Sequence, residues 1–205
     1  SREQVLERAG EATAIDAYYL TPELLARAKN LVWVQSMSAG VDRYVGVEGF
    51  AKRETIVLTN MRGVHGPAIA DHAFGMLLTL TRDLRHYAAQ QAKGLWKREG
   101  SGLPQVTLQG RTMLVVGLGG IGTEIAQRAH GFGMRVIATR RGDDPAPAFV
   151  SRVGHAGDLM AMLPDADVVA ICVPLTAETQ GMFNAKAFAA MKPGAYLINI
   201  ARGKV

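Results

Sequence analysis

Two kinds of apolar patterning alternate along the chain. Residues 113–116 and 168–173 are apolar throughout and end in turns, as strands covered on both faces of a parallel sheet do. Residues 14–20, 31–35, 55–59, 135–139 and 195–200 give further predicted strands. Segments of helical character lie between them. Thr21-Pro22-Glu23 supplies an N-cap hydroxyl, a proline at the first helical position and a first-turn acid, which predicts a helix to about Lys29. Residues 67–93 place Ala68, Ile69, Ala73, Met76, Leu77, Leu80 and Leu84 near helical spacing and predict one long helix. Shorter helices are predicted at 123–130, 157–163 and 184–191, the last with Asn184 as N-cap. Strands alternating with helices predict an α/β fold built on a parallel sheet. The Gly/Pro-rich run at 60–67 predicts a crossover between two domains, 1–62 and 63–205.

The strand at 113–116 runs into Gly117-Leu118-Gly119-Gly120-Ile121-Gly122, and a helix and a second strand follow. That order gives each glycine of G-x-G-x-x-G a task. Gly117 permits the tight turn, Gly119 lets a pyrophosphate approach the backbone, and Gly122 lets the helix pack close to the strand. The free N–H groups and positive end of the new helix then favour phosphate. A doubly wound, Rossmann-like dinucleotide domain is therefore expected.

The end of the second strand bears on which dinucleotide. NAD-binding units hold the ribose 2′-hydroxyl with an acid near this point, whereas an arginine accommodates a 2′-phosphate. Here the strand ends Thr139-Arg140-Arg141, and Arg140 stands 18 residues after Gly122. A guanidinium can pair with a phosphate through two charge-assisted bonds, and the Thr139 hydroxyl can add another. NADP is expected, with NAD as the alternative; a solvated arginine pair on a loop is the plainer reading of the same residues. Asp143 and Asp144 follow, past the strand end.

Composition narrows the partners. The chain has 205 residues, 48% of them hydrophobic and 20% charged, which suits one or two ordinary globular domains. No apolar run is as long as a membrane span, and Ser-Arg-Glu-Gln does not open a signal peptide. The net charge of +5 comes from scattered Lys and Arg without a basic block or aromatic stripe, so neither nucleic acid nor membrane is an expected partner. Cys172 is the single cysteine, excludes an internal disulfide, and reads as a core thiol in a reducing, cytoplasmic setting. The five histidines are dispersed without metal-ligand spacing, and no metal is expected.

After the strand at 31–35 comes Ser36-Met37-Ser38-Ala39-Gly40-Val41-Asp42. Ligands bind outside the carboxyl ends of parallel strands, and the amides of Ala39 and Gly40 could hold a carboxylate there; an ordinary strand-to-helix loop fits as well. This run is one of five ordered motifs. The others are Thr59-Asn60 with Gly63-Val64-His65 through Leu78; the glycine turn; Val173-Pro174-Leu175-Thr176-Ala177-Glu178-Thr179; and Met191-Lys192-Pro193-Gly194 through Asn199-Ile200-Ala201-Arg202-Gly203. Together they resemble the D-isomer-specific 2-hydroxyacid dehydrogenases, which include glyoxylate/hydroxypyruvate reductases and phosphoglycerate dehydrogenase.

The resemblance implies a Rossmann-like cofactor domain plus part of a flavodoxin-like substrate domain. It implies that Ala39 and Gly40 bind the substrate carboxylate and that Gly120 and Ile121 contact the pyrophosphate. Val173, Pro174 and Thr179 would touch the cofactor, Ile200 and Ala201 would lie beside the nicotinamide, and Arg202 would be the substrate-binding catalytic arginine. The expected activity is hydride transfer between NADPH and a small 2-oxo acid of the glyoxylate or hydroxypyruvate type, giving a D-2-hydroxy acid. The alternatives are an NAD-dependent enzyme of the phosphoglycerate dehydrogenase kind and a non-catalytic dinucleotide-sensing scaffold. The family's catalytic histidine and its acidic partner lie downstream of the arginine motif. The 205 residues are therefore expected to be a fragment lacking both ends, which holds most of the cofactor site without turning over alone. The long helix at 67–93 suits packing against a second copy, so a homodimer is expected.

Overall fold

A computed structural model describes all of residues 1–205. The chain divides into two units, Ser1–His65 and Gly66–Val205.

The first unit carries three short parallel strands in the order β1 (Ala14–Asp16), β2 (Trp33–Gln35), β3 (Val57–Thr59). Around them lie α1 (Arg2–Glu7), α2 (Pro22–Arg27) and α3 (Asp42–Val45). The start of α2 is built as its sequence predicts: the Thr21 hydroxyl accepts the Leu24 amide, with Pro22 at the first turn. The strand expected at 14–20 ends early. The Asp16 carboxylate accepts the Tyr18 amide and turns the chain into a 3-10 helix, Ala17–Tyr19. Leu24, Leu25, Ala28, Leu31 and Val34 form the core of this unit. Opposite Val34, Trp33 and Val57 sit in register and stay 45% and 59% exposed, so this sheet leaves one apolar row uncovered.

The second unit holds a five-stranded parallel sheet. Its strands are β4 (Thr112–Val116), β5 (Arg135–Thr139), β6 (Val150–Gly154), β7 (Val168–Ile171) and β8 (Tyr196–Asn199), ordered β6-β5-β4-β7-β8. Both faces are covered, which is why β4 and β7 are apolar without alternation. Met113, Val115, Val136, Ala138 and Ala170 point into one core with α4 (Gly66–Thr81) and α6 (Gly120–Gly131). Leu114, Val116, Ile137, Val169 and Ile171 point into the other, against α7 (Leu159–Met162) and α8 (Ala185–Ala190). Arg128 on α6 clamps α4, bonding Asp71 at 2.6 Å and Glu124 at 2.7 Å; the Glu124 and Asp71 carboxylates push its pKa further up.

The single helix expected over 67–93 is two helices, α4 and α5 (Leu84–Gln91). Asp83 between them adopts the left-handed conformation, φ 54°. Returning chain holds the break: the Ser101 amide donates to the Asp83 carboxylate at 2.7 Å and the Val106 amide to the Thr81 carbonyl at 2.8 Å. The Ser101 amide bond holds the Asp83 carboxyl below its ordinary value, against the cost of burial.

Candidate functional site

In the strand order β6-β5-β4-β7-β8, successive strands are added on opposite sides of β4, so the order reverses between β4 and β7. A crevice at the carboxyl ends of those strands is where doubly wound sheets take ligands. The loops after β4, β5, β7 and β8 all leave from this edge.

Gly117, the first residue after β4, has φ 101°, a conformation other residues rarely adopt. Its amide and that of Leu118 both donate to the Thr139 carbonyl at the end of β5, at 3.0 and 2.9 Å. A Cβ on Gly117 would stand 2.8 Å from Val173 Cγ1, so the turn is pressed against the loop after β7. A Cβ on Gly122 would stand 2.1 Å from the Gly117 carbonyl oxygen, so only glycine lets α6 lie this close. Gly119 differs, because nothing lies within 4 Å of where its Cβ would be. That open space sits at the N-cap of α6, where no side chain caps the helix. The first-turn amides of Gly120, Ile121 and Gly122 have no acceptor within the helix and suit an anion. An open backbone cradle at an uncapped helix start fits a dinucleotide pyrophosphate.

At the end of β5, Thr139 is only 3% exposed and presents almost nothing to a ligand. Arg140 and Arg141 reach the edge. Arg141 is exposed. The Arg140 side chain is 14% exposed and its Nη2 donates to Asp144 Oδ2 at 2.9 Å. The guanidinium expected to face a phosphate therefore already holds a carboxylate. Asp143 lies instead 3.7 Å from His155 Nε2.

The loop after β7 is fixed by a hydroxyl pair. Thr179 Oγ1 donates to the Pro174 carbonyl at 2.6 Å and accepts the Thr176 amide at 2.8 Å. Thr179 thus shapes the loop carrying Val173 and Pro174. After β8, Asn199 does similar work, accepting the Ala201 amide at 2.9 Å and donating to the Arg202 carbonyl at 3.0 Å. Ile200 and Ala201 are half-buried and Arg202 is exposed. Burial pushes the Cys172 thiol up to about 12, so it stays protonated at neutral pH. The Thr176 hydroxyl in turn accepts the Thr179 amide at 3.3 Å, and this role and that of Asn199 are not among the sequence expectations; an Asn or Thr two or three residues before a turn amide is the signal that marks them.

The expected carboxylate loop follows β2 in the first unit. Ala39 and Gly40 are half-buried there. Ser36 Oγ accepts the Ser38 amide at 3.1 Å, and Asn60 Nδ2 donates to the Ala39 carbonyl at 3.0 Å, so side chains hold the shape of the loop.

Gly117–Gly122, Arg140, Arg141, Val173, Pro174, Thr179, Ile200, Ala201 and Arg202 all belong to one sheet edge in this arrangement. The sequence profile of the D-isomer specific 2-hydroxyacid dehydrogenase NAD binding domain matches residues 74–205. The chain belongs to the D-isomer specific 2-hydroxyacid dehydrogenase family. Its second unit carries that family's nicotinamide-dinucleotide-binding domain. The glyoxylate reductase of Pyrococcus furiosus is 36% identical over 212 residues, covering 100% of this chain and 62% of the relative. The hydroxypyruvate reductase of Thermotoga maritima is 31% identical over 184 residues, covering 90% of this chain and 58% of the relative. A solved family protein from Aeromonas salmonicida superposes with a TM-score of 0.85 at 37% identity, over 100% of this chain and 64% of that one. The chain thus spans less than two thirds of the length of these family members. No helix is long and apolar enough to cross a membrane.

Proposed function

We propose that this chain is the cofactor-holding part of a reductase that transfers hydride from NADPH to a small 2-oxo acid of the glyoxylate or hydroxypyruvate type. The observation that carries the reading is the open cradle at Gly119, flanked on the same edge by the Val173–Pro174 loop and by Arg202. The nicotinamide supplies the hydride when bound. The amides of Gly120 and Ile121 hold the pyrophosphate, Val173, Pro174 and the Thr179-braced loop bound the cofactor, and Ile200 and Ala201 lie beside its reactive ring. Arg202 grips the 2-oxo acid and stabilises negative charge as it gathers on the carbonyl oxygen. The amides of Ala39 and Gly40 hold a carboxylate. Arg140 and Arg141 receive a 2′-phosphate, with NAD as the second cofactor because Asp144 already neutralises Arg140. A single cysteine, which can form no internal disulfide, suits a reducing compartment such as the cytoplasm.

A homodimer through the 67–93 helix region is part of the same reading. Leu80 and Leu84, at the junction of α4 and α5, are 53% and 47% exposed.

The test is an assay of the full-length protein that follows NADPH and NADH oxidation separately with glyoxylate, hydroxypyruvate and pyruvate. Turnover is expected to be fastest with NADPH and glyoxylate or hydroxypyruvate. Arg202→Lys should lower kcat/KM about 100-fold while leaving NADPH binding within about twofold, since a lysine cannot make the forked contact. Preference for NADH would overturn the cofactor assignment, and an active Arg202→Lys protein would remove the arginine from the chemistry.

A further inference from the structure

The pair at the end of β5 is lopsided. The Arg140 side chain is 14% exposed, so most of it is packed against the protein. Its partner Asp144 is 86% exposed and reaches back over Gly142, whose Cβ position lies 3.5 Å from Asp144 Oδ2. One partner is anchored and the other is a solvent-facing side chain free to swing out. Because the guanidinium is largely buried, the carboxylate leaves at low cost only when another anion takes its place. A phosphate monoester carries up to two negative charges and several acceptor oxygens, and so competes well for a guanidinium.

We propose that Asp144 is a built-in stand-in for the 2′-phosphate, a specificity-determining residue that occupies Arg140 until an NADP-type cofactor displaces it. With NAD(H), the carboxylate stays on Arg140, and the arginine is never left as an unpaired charge beside a neutral ribose. With NADP(H), the phosphate takes the guanidinium and Asp144 turns to solvent. The same pocket then accepts both cofactors, and Asp144 sets the ratio. The neighbouring Asp143, 3.7 Å from His155, does not share this role and serves as the internal control. This inference rests on the proposed reading of Arg140 as the 2′-phosphate arginine.

The test is calorimetric titration of the full-length protein with NADPH and with NADH, without substrate. Asp144→Asn should tighten NADPH about 3- to 10-fold and change NADH by less than about twofold. Asp143→Asn should move neither by more than about twofold, which separates a specific competitor from a general field effect. Arg140→Gln should weaken NADPH about 10-fold or more, and adding Asp144→Asn to it should restore less than about twofold, because no guanidinium remains to compete for. If Arg140→Gln weakens NADPH but Asp144→Asn leaves it unchanged, the stand-in is wrong and the phosphate reading survives. If Asp144→Asn tightens both cofactors alike, the residue acts on the loop and the stand-in is wrong. If Arg140→Gln leaves NADPH binding intact, the phosphate reading falls and takes the stand-in with it.

Discussion

The two edges of the five-stranded sheet are built from the same strands and do opposite things. At the amino edge, one carboxylate ties three elements together. Asp167, just before β7, accepts the Thr112 amide at the start of β4 at 2.8 Å and Lys192 Nζ ahead of β8 at 3.1 Å, with Arg111 at 3.7 Å. Its polar groups are spent inside the protein. At the carboxyl edge the helix start is uncapped, the space at Gly119 is open, Arg202 is exposed, and Arg140 is held by a solvent-facing acid. Charge closes the amino edge, whereas the carboxyl edge keeps an uncapped helix start and open space beside the backbone. Substitutions should therefore separate cleanly, with stability lost at one edge and affinity at the other.

The largest effect should come where the two purposes meet. Gly122→Ala puts a methyl group 2.1 Å from the Gly117 carbonyl, so α6 or the turn must move; a loss of about 3 kcal/mol is expected, with dinucleotide binding lost as well. Gly119→Ala meets nothing within 4 Å and should leave stability within about 1 kcal/mol while weakening NADPH about 10-fold or more, because the methyl group enters the phosphate's space. Denaturant unfolding paired with a binding titration reads both numbers. Equal destabilisation by the two changes would show that Gly119 is structural and that the carboxyl edge is not arranged for a ligand.

That glycine turn was legible in the sequence because every part of it is local: an apolar run, three glycines at fixed offsets, and a helix within twenty residues. The caps Thr21 and Asn184 were legible for the same reason, since each bonds an amide two or three residues away. The misses came from non-local partners. Nothing within 67–93 signals the break at Asp83, whose fixing bonds come from Ser101 and Val106. β6 was passed over because Ser151, Arg152 and Val153 are exposed on an edge strand with no apolar run, and its pairing with β5 is irregular between Val136 and Ile137. Arg140 was recognised by type and position, but its pairing with Asp144 depends on how a short loop folds back over Gly142. The placing of these residues at one sheet edge was thus readable, whereas the Arg140–Asp144 pair was not.

At the amino edge the expected effect is smaller and of the other kind. Asp167→Ala removes the acceptor for the Thr112 amide, and Thr112 is only 8% exposed, so an N–H is left without its partner; about 2 kcal/mol of stability should be lost. The Lys192 and Arg111 contacts add little to that figure, because those side chains are 39% and 43% exposed and water screens them. Affinity for NADPH should stay within about twofold of the parent protein, since the change lies at the far end of the strands. A marked loss of affinity would mean that the two edges are coupled through the sheet.

The smallest effect is the pH dependence of that same carboxylate. Burial opposes ionisation of Asp167, but the Thr112 amide, Lys192 and Arg111 outweigh it and hold its pKa below the ordinary 3.8. Asp83 is lowered too, chiefly by the Ser101 amide. A carboxyl group whose folded value is depressed stabilises the fold fully above its unfolded value, and that stabilisation fades as pH falls through the folded one. The contribution of both groups to Tm should therefore be constant from neutral pH to about pH 5 and decline below about pH 4. Asp167→Asn keeps an acceptor for Thr112 but cannot ionise, so it should lower Tm slightly at pH 7 and show a shallower fall on acidification than the parent. Asp83→Asn should do the same for unfolding of the segment linking α5 to β4, read by hydrogen exchange at the Ser101 amide. A parent and an Asp167→Asn protein with superimposable acid limbs would show that folding leaves the pKa of this carboxyl group unshifted, and the charge-closed amino edge would then reduce to a single hydrogen bond.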